Sequence, residues 1–159
     1  TQARDQAPHY EHTRIGYNYR LSNVCAGIGR GQMLSLPSFL EKRRGIHEEY
    51  RRRLSGVPGL SLLENPDSRY HSNHWLTCVQ VNPEEARFDR ETLRLALQKA
   101  GVESRPLWKP MHLQPVFRSC PFYGSGVSDR LFEEGLCLPS GASLAGEDMD
   151  RIIDVLLNL

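Results

Sequence analysis

The chain has no apolar run long enough to cross a bilayer as a helix, no C-x-x-C pair, no G-x-S-x-G elbow and no phosphate-loop lysine. The first absence excludes a membrane-spanning helix. The second removes the usual zinc and dithiol patterns. The last two remove familiar hydrolase and nucleotide-loop signatures. Lysine is scarce, with only Lys42, Lys99 and Lys109, and the first two read as exposed helix positions. Net charge is +1, so no global field argues for nucleic acid or a membrane surface. No repeat or low-complexity tract is present. The opening "TQARDQAPHYEH" has no apolar core, which excludes a secretory signal. It lacks an initiator Met and starts in a polar stretch, so the chain reads as a piece of something longer. Cys25, Cys78, Cys120 and Cys137 are scattered. They read as buried, reduced thiols of a cytoplasmic protein rather than disulfides or metal ligands.

What is present is ordinary globular composition: 159 residues, 39% hydrophobic and 25% charged. From Leu21 to Leu54 apolar residues recur at helical spacing. Pro37 interrupts them, predicting a kink, or two helices with Ser35 capping the second. "GVPGL" ends this arm. "LSLLE" reads as a short strand, "NHWLTCVQV" as a longer one and "NPEEAR" as a turn. "FDRETLRLALQKAG" is a helix capped by Asp89 and closed by Gly101. "VESRPLW" is a strand ending near Pro106. Residues 109–126 read as loop with one short helix. "SDRLFEEG" is a helix, "LCLPSG" a strand, and "GEDMDRIIDVLLNL" a last helix with Met149, Ile152, Ile153, Leu156 and Leu157 on its inner face. The order β-β-α-β-α-β-α predicts an α+β layer on a small, mostly antiparallel sheet. A boundary near residue 57 separates an arm (1–57) from a compact unit (58–159). The arm's apolar stripe cannot bury itself, so it is expected to pack on another domain or subunit.

Several motifs carry possible chemistry. "HTRIGYNYRLSN", residues 12–23, crowds Gly16, Asn18, Arg20, Ser22 and Asn23 just ahead of a helix. Free helix amides and these side chains suit a phosphate or carboxylate. A loop with Ser22 as N-cap explains the same residues. "GIGRGQ" has the wrong spacing for a dinucleotide fingerprint and lies in a helical pattern, so close helix packing is the better account. Lys42, Arg43, Arg44, Arg51, Arg52 and Arg53 interleave with Glu41, Glu48 and Glu49, which suggests a solvated, ion-paired face. His71 and His74 lack further metal ligands around them. "RPLWKPMH" is a proline-stiffened loop bearing Arg105, Trp108, Lys109 and His112, where ligand contacts could gather.

The strings "YEHTRIGYNYRLSNVCAGIGRGQM", "HWL", "GVESRPLWKPMHLQPVF", "LFEEGLCLPSG" and "DMDRI" together resemble the pyridoxal-phosphate nucleotide-sugar aminotransferases of the DegT/StrS group. The resemblance covers nearly the whole chain, in the family's order. Its wording is most similar to members acting on UDP-linked 4-keto-6-deoxy-N-acetylhexosamines, the bacillosamine-type transaminases. It implies the C-terminal portion of a type I aminotransferase: a small domain preceded by a helical arm. It also implies a homodimer with active sites at the subunit interface, and pyridoxal 5'-phosphate (pyridoxamine 5'-phosphate during turnover) on a lysine upstream of Thr1. L-glutamate would donate the amine and a nucleotide-linked keto sugar would accept it. Metal, nucleic acid and membrane have no part in this scheme. Asn18 would reach the cofactor phosphate across the dimer. Arg20 would meet an anionic part of substrate or donor. Pro110 and His112 would border the sugar pocket, with Arg105 and Trp108 near it. No residue of this chain would perform the chemistry, and the chain alone is expected to be inactive.

Two positions depart from the family pattern. Pro37 falls where an uninterrupted helix is usual, and Ala145 where a capping Thr or Ser is common. A lysine-free dehydratase of the same family, a non-catalytic α+β dimerisation or binding module, and a basic-helix nucleic-acid binder are the rival readings. The bare stripe of residues 21–54 argues against the second and the charge balance against the third.

Overall fold

A computed structural model describes residues 5–17 and 21–159. Asn18 and Arg20 lie outside the described residues. The arm is two helices, α1 (Asn23–Met33) and α2 (Leu36–Leu54). Ser22 caps α1, its Oγ accepting the Cys25 amide at 3.2 Å. Of the two expected alternatives the structure takes two helices, with the break at Leu34 and Ser35 and Pro37 in the first turn of α2, where a helix needs no amide donor. Ser35 makes no side-chain cap, contrary to the sequence expectation. Every residue of α1 is exposed, Cys25 included. Leu21 is 79% and Val24 72% exposed, so the first half of the apolar stripe is bare. The second half is not: Tyr50 and Leu54 enter the core.

The four strands are β1 (Leu60–Leu62), β2 (Thr77–Val81), β3 (Arg105–Pro106) and β4 (Gly135–Leu138). They lie in the order β1-β2-β4-β3, each neighbour antiparallel. The fold is therefore the expected α+β layer. Both central expectations of strand length shrink, however. Residues 73–76 and 102–104 lie outside the strands, although both stretches read as strand in sequence. Between strands run α3 (Pro83–Ala86), α4 (Arg90–Lys99), α5 (Val127–Glu134) and α6 (Gly146–Leu157). "NPEEAR" thus forms a one-turn helix rather than a plain turn, capped by Asn82. The 109–126 loop holds two 3-10 turns, at Met111–Leu113 and Pro115–Phe117, not one helix.

Alternation assigns the two faces of the sheet. Thr77, Val79, Val81, Leu136 and Leu138 are buried against α2, α4 and α6. Leu93, Leu97, Ile152 and Leu156 complete this core. Each such side chain contributes about 1.5–3 kcal/mol by leaving water. The Tyr50 hydroxyl donates to the Pro139 carbonyl at 3.0 Å, and burial pushes its phenol pKa upward. α5 covers the opposite face, where Glu134 accepts from Gln80. α4 starts on Asp89, which accepts the Thr92 amide at 2.7 Å, and closes on Gly101 at φ 72°. α6 starts on Ala145 without a side-chain cap. Leu157, expected inside, is 50% exposed, because the helix ends there and its stripe has already turned outward. Gly135 ends α5 and begins β4 with no loop between. A Cβ there would collide with the Leu107 side chain and the Leu131 carbonyl.

Candidate functional site

The described N-terminal segment runs across the 105–114 loop. Gln114, 3% exposed, fastens the two. Its Nε2 donates to the Tyr10 carbonyl at 2.9 Å and the Lys109 carbonyl at 3.2 Å, and its Oε1 accepts the His12 amide at 3.0 Å. Lys109 pairs with Glu11, whose carboxyl is held below its ordinary pKa by Lys109 first and His9 second.

This clasp sets Tyr10 parallel to Trp108, with ring centres 6.0 Å apart and an interplanar angle of 11°. The Trp75 ring is 6.1 Å from that of Trp108, tilted by 37°. Arg43 Nη1 donates to the Trp75 carbonyl at 2.5 Å and Arg44 to the Ser72 carbonyl at 3.1 Å, so these two arginines shape a loop. Arg51, Arg52 and Arg53 instead pair with Glu48 and Glu49, as the interleaving predicted. Arg105 donates to the Tyr10 hydroxyl at 2.9 Å and to Glu103 at 2.9 and 2.5 Å. Glu103 first, then Tyr10, favours its charged form. Tyr10, Trp75, Trp108, Arg105, Ser140 and Arg151 border an open cavity of about 500 Å³. Flat aromatic faces beside a guanidinium suit a ligand with a ring and an anionic group.

Of the predicted site residues, the structure brings Arg105 and Trp108 to this cavity. His112 borders a separate pocket of about 310 Å³ with Met111, Phe117, Cys120 and Phe122. Its Nε2 is 2.7 Å from Asp129 Oδ1, and its ring stacks on Phe122 at 3.6 Å. Tyr10, Trp75, Glu103 and Gln114 belong to the site although nothing in their spacing gave them a role. The only hint was that all four fall inside or beside the strings "YEH", "HWL", "GVESRPLW" and "LQP". Cys120 is exposed rather than buried, like Cys25. His74 stacks on the buried His47 at 3.7 Å, and burial, then His47, lowers its pKa. No group of three metal-ligating side chains occurs among the described residues.

The chain belongs to the DegT/DnrJ/EryC1/StrS aminotransferase family, whose model matches residues 1–157. EpsN of Bacillus subtilis (strain 168), provisionally named a pyridoxal phosphate-dependent aminotransferase, is 39% identical across 100% of this chain and 41% of its own length. GDP-perosamine synthase of Vibrio cholerae is 29% identical over 94% of this chain and 40% of its own. The crystal structure of DesI, determined in the presence of its TDP-sugar product, superposes with a TM-score of 0.78 at 25% identity. It covers 87% of this chain and 35% of DesI. The chain thus spans about two fifths of the length of the curated relatives it matches.

Pyridoxal phosphate, alternating with its pyridoxamine form, is the cofactor of this family. The described residues do not fit as the seat of its ring. A covalent seat needs a free amine, and the chain's lysines are otherwise placed. Lys42 and Lys99 are exposed on helices, and Lys109 is tied to Glu11. No step of amine transfer is therefore assigned to them.

Proposed function

We propose that this chain is the substrate-facing C-terminal part of a pyridoxal-phosphate aminotransferase acting on a nucleotide-linked 4-keto-6-deoxy sugar. L-glutamate is the donor, and the product is an amino sugar for glycans. The observation that carries the reading is the Arg105–Tyr10–Trp108 arrangement, an arginine held beside stacked aromatic rings at an open cavity. In chemical terms, the guanidinium offsets the charge of a diphosphate and the rings accept a flat base, UDP in the reading most similar in wording. Glu103 and Tyr10 fix the direction of the guanidinium, so little rotamer freedom is lost on binding. His112, in a pocket of its own, borders the sugar in this reading. Asn18 meets the cofactor phosphate and Arg20 an anionic group. The cofactor itself supplies the carrier for the amine. It is held by a lysine outside this chain, in a cytoplasmic homodimer whose sites are shared between subunits. Residues 1–57 end the large domain and form the arm, and residues 58–159 form the small domain. The names of GDP-perosamine synthase and of the TDP-sugar complex support a nucleotide-sugar acceptor.

The test uses the full-length protein with pyridoxal phosphate, glutamate and a UDP-4-keto-6-deoxy-N-acetylhexosamine. The expected result is a cofactor absorbance band altered by glutamate and a 4-amino sugar product. Arg105→Ala should raise KM for the nucleotide sugar about tenfold, the loss of one charge-assisted contact, with KM for glutamate unchanged. A dehydrated, unaminated sugar would move the assignment to the lysine-free branch. No cofactor binding would overturn the enzyme reading. The 159 residues alone are expected to be inactive.

A further inference from the structure

Cys78 and Cys137 face each other across two strands. They are register partners in the β2–β4 ladder, and their sulfurs are 3.8 Å apart. Directly opposed antiparallel residues have Cα atoms about 4.5–5.5 Å apart. A disulfide tolerates about 4.4–6.8 Å, so the backbone already meets its requirement and only side-chain rotation remains. Both thiols lie on the sheet face away from the core. Cys137 is buried and Cys78 half-buried, so a small reagent reaches Cys78 first. Arg105 is the next member of the same cross-strand row, opposite Cys137.

We propose that Cys78 and Cys137 are a reversible redox site, closing to a disulfide by exchange with a low-molecular-weight disulfide such as oxidised glutathione. The Cys78 thiolate attacks one sulfur of the reagent, forming a mixed disulfide and releasing one thiol. Cys137 then gives up its proton and attacks the Cys78 sulfur, forming the Cys78–Cys137 bond and releasing the second thiol. Two protein thiols are oxidised and one disulfide is reduced to two thiols. The environment favours this order. The Cys137 hydrogen bond keeps the Cys78 pKa low, whereas that bond to Cys78, and then burial, push Cys137 up. Cys137 also borders the aromatic cavity, so the cross-link is placed in its wall. The site does not depend on which substrate that cavity takes.

The experiment treats the full-length protein with graded ratios of oxidised to reduced glutathione, alkylates free thiols, and maps peptides without reductant by mass spectrometry. The expected result is a linked pair of peptides containing Cys78 and Cys137, both lost to alkylation together and both restored by dithiothreitol. Cys25 and Cys120 should yield only separate glutathione adducts. In Cys137→Ser, a serine that keeps the side-chain size, Cys78 should stop at its glutathione adduct. Continued alkylation of Cys78 and Cys137 at ratios that modify the exposed Cys120 would overturn the proposal. So would a stable glutathione adduct on Cys78 in the unsubstituted protein.

Discussion

Gln114 is the residue on which the cavity depends most, because three of its hydrogen bonds reach groups that no helix or strand satisfies. Gln114→Leu keeps the volume and strands the Tyr10 and Lys109 carbonyls and the His12 amide. The expected cost is about 3 kcal/mol by urea unfolding, the sum of several part-buried polar groups left unmade. Amide exchange should rise at His12 while the sheet stays protected. An unchanged exchange rate at His12 would deny the clasp. The sequence marked the stiff loop and, within it, Arg105 and Trp108, because prolines and aromatics are visible locally. It could not mark Gln114 or Tyr10, whose partners lie about a hundred positions away along the chain. His112 was grouped with Arg105 by proximity in sequence, yet the 3-10 turn at Met111–Leu113 carries it to another pocket.

Helix ends make the clearest contrast between elements. α4 has its Asp89 cap and α6 has only Ala145 at the equivalent place. Ala145→Ser should raise stability by about 1 kcal/mol, and Asp89→Ala should lower it by about as much. Urea midpoints at constant slope would measure both, and a null effect at Ala145 would mean that the Glu147 and Asp148 charges already satisfy that terminus. Capping residues were legible because the interaction spans three positions. Strand lengths were less so. Residues 73–76 look β-like in composition, but His74 adopts φ 43° and the Trp75 carbonyl is taken by Arg43. Leu157 was placed inside by extending a periodicity past the point where the helix stops.

At the scale of the molecule, ion pairs run along α2 and across to α6, two helices that also share the core. Glu49 binds Arg52 and Arg53, and Arg53 also reaches Asp150 on α6. These hydrogen bonds, Arg52 first, hold the Glu49 pKa at about 2 against an ordinary 4.5. A carboxyl depressed on folding stabilises the folded chain fully above its ordinary value and loses that contribution as pH falls through its folded one. The Glu49 contribution to thermal stability should therefore be constant above pH 5 and decline between about 4.5 and 2. Glu49→Gln should flatten part of that decline, and an identical decline in the variant would remove Glu49 from the account. The antiparallel sheet and its helical layer were legible as a whole, since alternation and helical period are repeated signals. What covers α1 was not, because an exposed stripe names no partner.

Both tryptophans of the chain, Trp75 and Trp108, stand in one cavity and none in the core. Intrinsic fluorescence is therefore a private reporter of that cavity. Emission will respond when a ring slides between the indoles, when the cavity wall is cross-linked, or when Tyr10 is released from its clasp. In refolding, the loop that brings Tyr10 to Trp108 is longer than the one closed by β2 and β4, so its closure carries a somewhat larger entropic cost. Indole emission will then settle after the circular dichroism of the helices, timing the last event in assembly rather than the first.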